Sequence, residues 1–513
     1  MKSGTDFARV AAQMRNGRNA GRRPARRQRR RGVLVALVAA AVLSRPALAQ
    51  EEPAKFALMD GVSLAETPPD VHPDFSLGLQ EEAKHAPEPV RPPGRRRFLT
   101  AASELVLLEA IPWSFDRYIA REDWAFISLD TVRENFRRGF GYDSDSFKVN
   151  QTSHPYHGSL FFNAARENGY GFWESGAFAL MGSLIWECCM ENSRPSTNDL
   201  VNTTLGGMTR GEVSHRVSAM ILDNTASGKT RLIREIGAGI INPAALLNRL
   251  LRGEAFKEFD NPPDRFPKLV ALSTDLGYRH FEHGGHRDQS IATLSFLYGD
   301  PFEGDLSRPF DSFWVGIDAS SPGGVLFTRI EERGLLKGWE LTDNTAAVRH
   351  IFAFGQEYEY LNNASQVFGA EILSAGLLSR YAIHQGVIGL TDASILAIPL
   401  AGIRTVDVEN PTTGRNYDYA PGAGARVAGR LFFGGHEVLG GEYGVIWAHT
   451  VNGASRNNTL QFARAVARIP LGIFGAGAAY SWYSRKTSYT GFFEQRQTQG
   501  EWRVFGNVSV AFQ

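Results

Sequence analysis

Between His154 and His215 the chain concentrates groups able to move protons or attack a carbonyl: His154, His157 and His215, Ser159, Ser175 and Ser196, and Glu187, Asp199 and Glu212. A histidine as general base, a serine as nucleophile and a carboxylate as orienter or acid would suffice for hydrolysis. No spacing fixes such a triad, because triads are assembled in space rather than in sequence. The same stretch has a purely structural use. Glu187 or Glu191 could pair with Arg194, while Asp199 and Asn202 at helical spacing share one face and complete an ion-pair and amide network. Apolar, helix-like runs surround these residues, and a buried charge or amide must find a partner. The expectation is therefore a fixed network that locks a helical hairpin, with catalysis as the competing use.

Other chemistries have less support. His154 and His157 with a carboxylate could hold a metal, but no His-Glu-x-x-His helix and no cysteine pair of ligand spacing is present. No metal and no cofactor is expected, and His280, His283 and His286 read as loop residues. Gly169, Gly171, Gly176, Gly182, Gly206, Gly207 and Gly211 lack the Lys-Ser/Thr ending of a phosphate loop and are expected to let helices approach closely. Cys188 and Cys189 are the only cysteines; as neighbours they are poorly placed to bridge each other and read as small core residues.

The elements that must position these groups change character along the chain. From Phe98 to about Glu254 apolar residues recur every three or four positions, as in 105–113, and Pro195 followed by Ser196 or Asn198 starts a new helix. From about Phe266 the period becomes two. In 348–360 Phe352, Phe354, Tyr358 and Tyr360 oppose Arg349, Glu357 and Glu359, and in 423–433 Val427, Leu431 and Phe433 oppose Arg426 and Arg430. Counted back from the C-terminus, connections alternate long and short (486–500, 470–475, 449–457, 434–437, 404–421, 384–386), the pattern of an outer-membrane barrel with long external loops and tight periplasmic turns. Arg426 with Arg430, and Arg464 with Arg468, point the same way at a spacing of four. They are candidate lumen residues, either binding anionic solutes or pairing with Glu357 and Glu359.

The fold class expected is α+β: an N-terminal helical domain (98–262) followed by an antiparallel transmembrane β-barrel of about 12 strands (263–513). Residues 1–49 read as a secretory signal peptide, with arginines at 26–31, an apolar run 33–43 too short to span a bilayer, and Ala47-Leu48-Ala49 before Gln50. Residues 50–97, rich in Pro, Glu and Ala, read as a disordered linker. A formal charge of +1, carrying many arginines of the leader, leaves no footprint for nucleic acid. The C-terminal 506–512, Gly-Asn-Val-Ser-Val-Ala-Phe, resembles the terminal recognition signal of bacterial outer-membrane proteins, which implies the barrel assembly machinery and outer-membrane lipid as partners.

The segments 154–158, 161–169, 172–175, 182–187 and 195–207, in that order, resemble a bacterial domain-of-unknown-function family, number 3943. That resemblance implies an exported domain and no reaction. A slighter similarity is to the VanZ-like motif, here Glu187 or Glu191, Arg194, Asp199, Asn202 and Gly206. The function expected is an outer-membrane protein of transport, envelope structure or assembly, its helical domain periplasmic or inside the barrel. The alternative is an envelope hydrolase acting on lipid or cell-wall material through the His154 to Glu212 groups.

Overall fold

The computed structural model describes residues 96–263, 265–282, 288–322, 325–343, 345–404, 415–489 and 493–512. The expected signal peptide, all but the last two residues of the linker, and His283 and His286 lie outside the described residues. The helical region holds α1 (Phe98–Phe115), α2 (Leu129–Arg138), α3 (His154–Arg166), α4 (Phe172–Ile185), α5 (Thr197–Val201), α6 (Gly207–Ile221), α7 (Gly228–Ile241) and α8 (Pro243–Leu251). Local chemistry sets several starts. Ser128 and Thr131 cap α2 reciprocally, each side chain accepting from the other's backbone N–H at 3.2 and 2.8 Å. Pro243 opens α8, and the Asn242 side chain accepts from the Ala245 N–H at 3.1 Å.

Twelve antiparallel strands follow: β1 (Val270–Phe281), β2 (Gln289–Tyr298), β3 (Phe313–Ser321), β4 (Phe327–Glu340), β5 (Val348–Asn362), β6 (Val367–His384), β7 (Val387–Arg404), β8 (Tyr417–Phe433), β9 (His436–His449), β10 (Ser455–Leu471), β11 (Phe474–Tyr489) and β12 (Glu494–Phe512). Each pairs with its sequence neighbours, and β1 pairs with β12 from Val270↔Phe512 to Phe281↔Glu501, so the sheet closes into a barrel without edges. The tight turns after β6, β8 and β10 use Gly386, Gly434, Gly435 and Gly472 at positive φ. These turns share the end of the barrel where β1 begins and β12 finishes, called here the turn end; the opposite end is the loop end. The long connection expected at 486–500 is largely strand instead. β11 and β12 stay paired as far as Ser488↔Glu494, because alternation continues through that polar sequence.

Side-chain parity fixes which face is inside. Arg464 on β10 reaches Glu331 on β4 across the barrel, and Arg426 on β8 reaches Glu357 on β5, so these residues line the lumen. Their neighbours of opposite parity on β5, namely Gln356, Tyr358 and Tyr360, must face outward. Those outward residues touch the helices: Gln356 Nε2 donates to the Leu205 carbonyl at 2.9 Å, Tyr358 Oη to the Gln151 carbonyl, and Tyr360 stacks on Phe147. The helical region therefore lies against the outer wall and does not plug the lumen, a correction to one of the two placements expected from sequence. Towards the loop end the wall's own side chains fill the barrel, with Leu361, Phe368, Ile398, Ile446, Leu460 and Phe462 in one buried apolar cluster.

Candidate functional site

The polar stretch forms a connected buried network at the seam between helices and barrel. Its backbone is a series of helices interrupted by π-type turns, Val149–Ser153, Trp186–Met190 and Asn202–Gly206, which rotate successive polar residues towards one another. Asn198 is the hub. Its amide nitrogen lies 2.8 Å from Asp143 Oδ1, 2.9 Å from Asn150 Oδ1 and 2.8 Å from Asp199 Oδ1. Asn150 donates to Tyr417 Oη at 2.8 Å, Tyr419 Oη donates to Asp143 at 3.0 Å, and Asn202 donates to the Asn150 carbonyl at 3.0 Å. Two tyrosines of the barrel's outer wall thus complete a network begun on the helices.

The expected bridge from Arg194 to Glu187, Glu191 or Asp199 does not form. Arg194 is exposed and donates to the carbonyls of Gly139 and Phe140 at 3.1 and 2.6 Å, tying down the end of α2's following loop. Glu187 instead accepts from the Ser196 N–H at 2.7 Å, and Glu191 from Trp186 Nε1 and Ser193 Oγ at 2.7 and 2.6 Å. Asp199 faces His154, whose Nε2 is 3.1 Å from Asp199 Oδ1 but outside hydrogen-bond alignment; on the ring's other side Thr203 Oγ1 lies 3.4 Å from Nδ1.

His154, Glu187 and Asp199 lie outside the strands and outside 98–120, the one described helical stretch long and apolar enough to cross a membrane. Burial holds His154 down at about 3, helped by nearby His157, so its ring is neutral. Burial pushes Glu187 up to about 9, reinforced by Glu191, and burial also raises Asp199 well above the usual carboxylate range. At pH 7 the His154 ring is thus neutral and the Glu187 carboxyl protonated. For Glu187 a raised folded-state value means stability present in full below its unfolded pKa of about 4.5 and lost as pH rises towards 9. Glu187→Gln keeps an acceptor for the Ser196 N–H without the ionisable proton. Its melting temperature should match the parent's at pH 4 and exceed it by a margin that widens from pH 5 to pH 9; a constant margin would mean that Glu187 is not held protonated.

The remaining catalytic candidates are dispersed. His157 stacks between Phe161 and Trp186, ring centroids at 6.0 and 5.8 Å. Glu212 is clamped by Arg166 at 2.8 Å and Arg216 at 2.9 Å, and His215 meets Glu167 at 2.7 Å. Ser159 donates to the Tyr156 carbonyl at 2.6 Å, Ser175 is fully buried, and Ser196 contributes its backbone N–H to Glu187. The hydroxyl that does meet His154 belongs to Thr203, which sequence reasoning passed over. Its position four after Asp199, on the same helical face, was the available signal. Among the described residues no group of three or more His, Cys, Asp or Glu side chains is arranged to hold a metal.

The lumen arginines behave unequally. Arg426 makes a two-pronged pair with Glu357 at 2.6 and 2.9 Å, Arg464 pairs with Glu331 and Glu442 at 2.7 and 3.4 Å, and Arg468 pairs with Glu437 and Asp275 at 2.9 and 3.1 Å. Among the described residues Arg430 has no acid partner; its guanidinium stands 5.9 Å over the Trp314 ring. Arg430 and Trp314 separate two cavities. One of about 390 Å³ is lined by Leu297, Phe302, Trp314, Leu390 and Phe432, and includes the turn residue Gly435. The other, about 190 Å³, is lined by Arg329, Glu331, Glu442, Arg464 and Arg468.

Residues 139–244 match the family model described as a domain of unknown function (DUF3943). No curated protein matches the chain. Similar solved structures include the NanC porin (10% identity, TM-score 0.26, covering 46% of this chain and 98% of that one). The outer membrane channel DcaP of Acinetobacter baumannii is also similar (8% identity, TM-score 0.21, 47% and 96% coverage). So is OmpT of Vibrio cholerae (12% identity, TM-score 0.21, 47% and 96% coverage). It is the closed strand ladder, and not these low scores, that establishes the barrel.

Proposed function

We propose that the chain is an outer-membrane protein whose barrel is shut at rest and takes a small anionic, partly apolar solute into the cavity near its turn end. An outer-membrane location is supported by the closed barrel together with the outward apolar residues on its uncovered wall, among them Leu276, Ile395, Val427, Trp447, Ile469 and Val504. A shut lumen is supported by the ion pairs that cross it and by the apolar cluster towards the loop end. The observation that carries the ligand class is Arg430, a cation that among the described residues has no acid partner, placed between two cavities beside an aromatic ring and aliphatic walls. A carboxylate would satisfy the guanidinium while its apolar part lies along Trp314 and Leu390.

Two measurements test this. Refolded protein in planar bilayers should pass little or no steady current; a large constant conductance would mean an open pore. Phenylacetate titrated calorimetrically into detergent-solubilised protein should bind the parent and bind Arg430→Ala at least about tenfold more weakly, the cost of losing a charge-assisted hydrogen bond. Equal affinity for both proteins would place the anion elsewhere.

A further inference from the structure

Three helices of the outer region are amphipathic in the reverse sense to helices in water. In α1 the residues facing the protein are Ala101, Glu104, Leu105 and Glu109, whereas Leu99 (80% exposed), Val106, Leu107, Ile111, Phe115 and, just beyond it, Ile119 (70%) face away. In α7 Arg231 and Glu235 are buried while Leu232, Ile233, Ile236 and Ile240 are exposed. In α8 Asn248 and Arg249 are buried while Leu247, Leu250 and Leu251 are exposed. Inward polar groups of the three helices meet, Arg249 with Glu235 at 2.7 Å and Asn248 donating to Glu104 at 2.9 Å, while the buried Glu109 carboxylate makes no hydrogen bond. Such a surface in water would forfeit the burial that normally holds a bundle together, and its exposed apolar patch far exceeds scattered single residues.

We infer that α1, α7 and α8 face the acyl chains of the membrane, so that this apolar face of the helical domain lies in the lipid beside the barrel. Three observations select lipid as the occupant. The bundle rests on the outer wall of the barrel, through Val270, Tyr298, Phe310 and Phe313 near the turn end and through Tyr358, Tyr360, Tyr417 and Tyr419 near the loop end. The bundle's contacts with the wall therefore run from near the turn end to near the loop end, and β9 to β12 carry outward apolar residues of their own, Trp447, Ile469 and Val504 among them. Residues 98–120 form a stretch long enough to cross a bilayer, an 18-residue window of it has a mean hydropathy of 1.3, and only 22% of that window is buried within the protein. Polar residues directed inwards and paired there, as Arg249 is with Glu235 and Asn248 with Glu104, suit a helix in hydrocarbon.

This inference rests on the outer-membrane assignment above, and one experiment separates the two. In a background with Cys188 and Cys189 replaced by alanine, single cysteines at Val106, Ile111, Leu232, Ile236, Ile395 and Asp130 are labelled with bimane. The proteins are refolded into vesicles of phosphatidylcholine brominated at mid-chain. Ile395, 68% exposed on the bare barrel wall, reports the lipid, and Asp130, at the exposed start of α2, reports water. The four helix positions should be quenched at least half as strongly as Ile395 and should resist a membrane-impermeant maleimide, while Asp130 reacts with it. If they react with the maleimide while Ile395 is quenched, the helices face water and the inference falls. If they are shielded from both reagents, protein covers them and the inference also falls. If Ile395 itself is unquenched, the outer-membrane assignment fails first. Two positions on each of two helices protect the result against a single variant that does not refold.

Discussion

Glu331→Ala should lower the unfolding free energy of the refolded protein by about 3–5 kcal/mol, the usual penalty for leaving buried charges without a partner. Three guanidiniums converge on this carboxylate: Arg464 at 2.7 Å, Arg329 at 3.2 Å and Arg333 at 3.3 Å. Glu331 is almost completely buried, so water cannot replace what is removed. Unfolding in urea, followed by tryptophan fluorescence in vesicles, measures the loss. The double variant Glu331→Ala with Arg464→Ala should cost less than the two single changes together, because one of the stranded cations is gone. Lys486, whose pair with Glu494 at 2.9 Å is more than half exposed on both sides, provides the contrast; Lys486→Ala should cost less than about 1 kcal/mol. A loss of similar size at both sites would mean that the lumen is hydrated and the crossing pairs are no barrier.

Gly158→Ala should disrupt the helical region although alanine is by about 1 kcal/mol the better helix former. Propensity and packing oppose each other here, and distance decides the sign. A Cβ on Gly158 would stand 1.7 Å from the Thr203 carbonyl oxygen and 2.9 Å from Gly207 Cα, and a Cβ on Gly207 would stand 2.5 Å from the Gly158 carbonyl carbon. These obstacles are backbone, so α3 and α6 would have to separate, and overpacking of this kind costs roughly 1–3 kcal/mol or more. Separation would also pull Thr203 from His154 and loosen the network held by Asn198. Limited proteolysis should therefore cut residues 98–256 faster in Gly158→Ala than in the parent, with the barrel intact. Gly429→Ala in β8, where a Cβ meets nothing within 4 Å, should leave both parts unchanged. A Gly158→Ala protein as resistant as the parent would show that the two helices do not cross at this contact.

Among the glycines singled out in the sequence, Gly176, Gly182, Gly206, Gly207 and Gly211 all sit where an added Cβ would press on a neighbour, against Met208, Phe161, Glu371 and Pro155, Gly158 and Phe162 respectively. At Gly171 an added Cβ would make only an ordinary contact, 3.6 Å from the Glu174 carboxylate, and Gly169 serves a positive-φ turn instead. That much was legible because small residues at helical spacing report a close approach whichever neighbour makes it. The partners were not legible. Asp199 was expected to meet Arg194, five residues away, but faces His154, and Asn150 finds its hydroxyl on Tyr417, 267 residues further along the chain.

The sequence by itself determined the class of each half. A period of two fits a soluble sandwich as well as a membrane barrel, and the alternation of long and short connections selected the barrel, while a period near 3.6 makes helices; these signals are local and survive without knowledge of contacts. It also determined that the lumen face carries arginines at 426, 430, 464 and 468. The tertiary structure decided which of them are neutralised, because the acids come from strands on the far side of the barrel, Glu331 for Arg464 and Glu357 for Arg426, and Arg430 has none within reach among the described residues. It decided too that the helices clasp the outside of the wall. Amphipathic periodicity reads the same whether the apolar stripe of α1 faces a protein core or a lipid, since the pattern gives the angle between Glu104 and Leu107 and not the solvent on either side. Only tertiary contacts, with Glu104 accepting from Asn168 and Asn248, fix which face of α1 is turned inward.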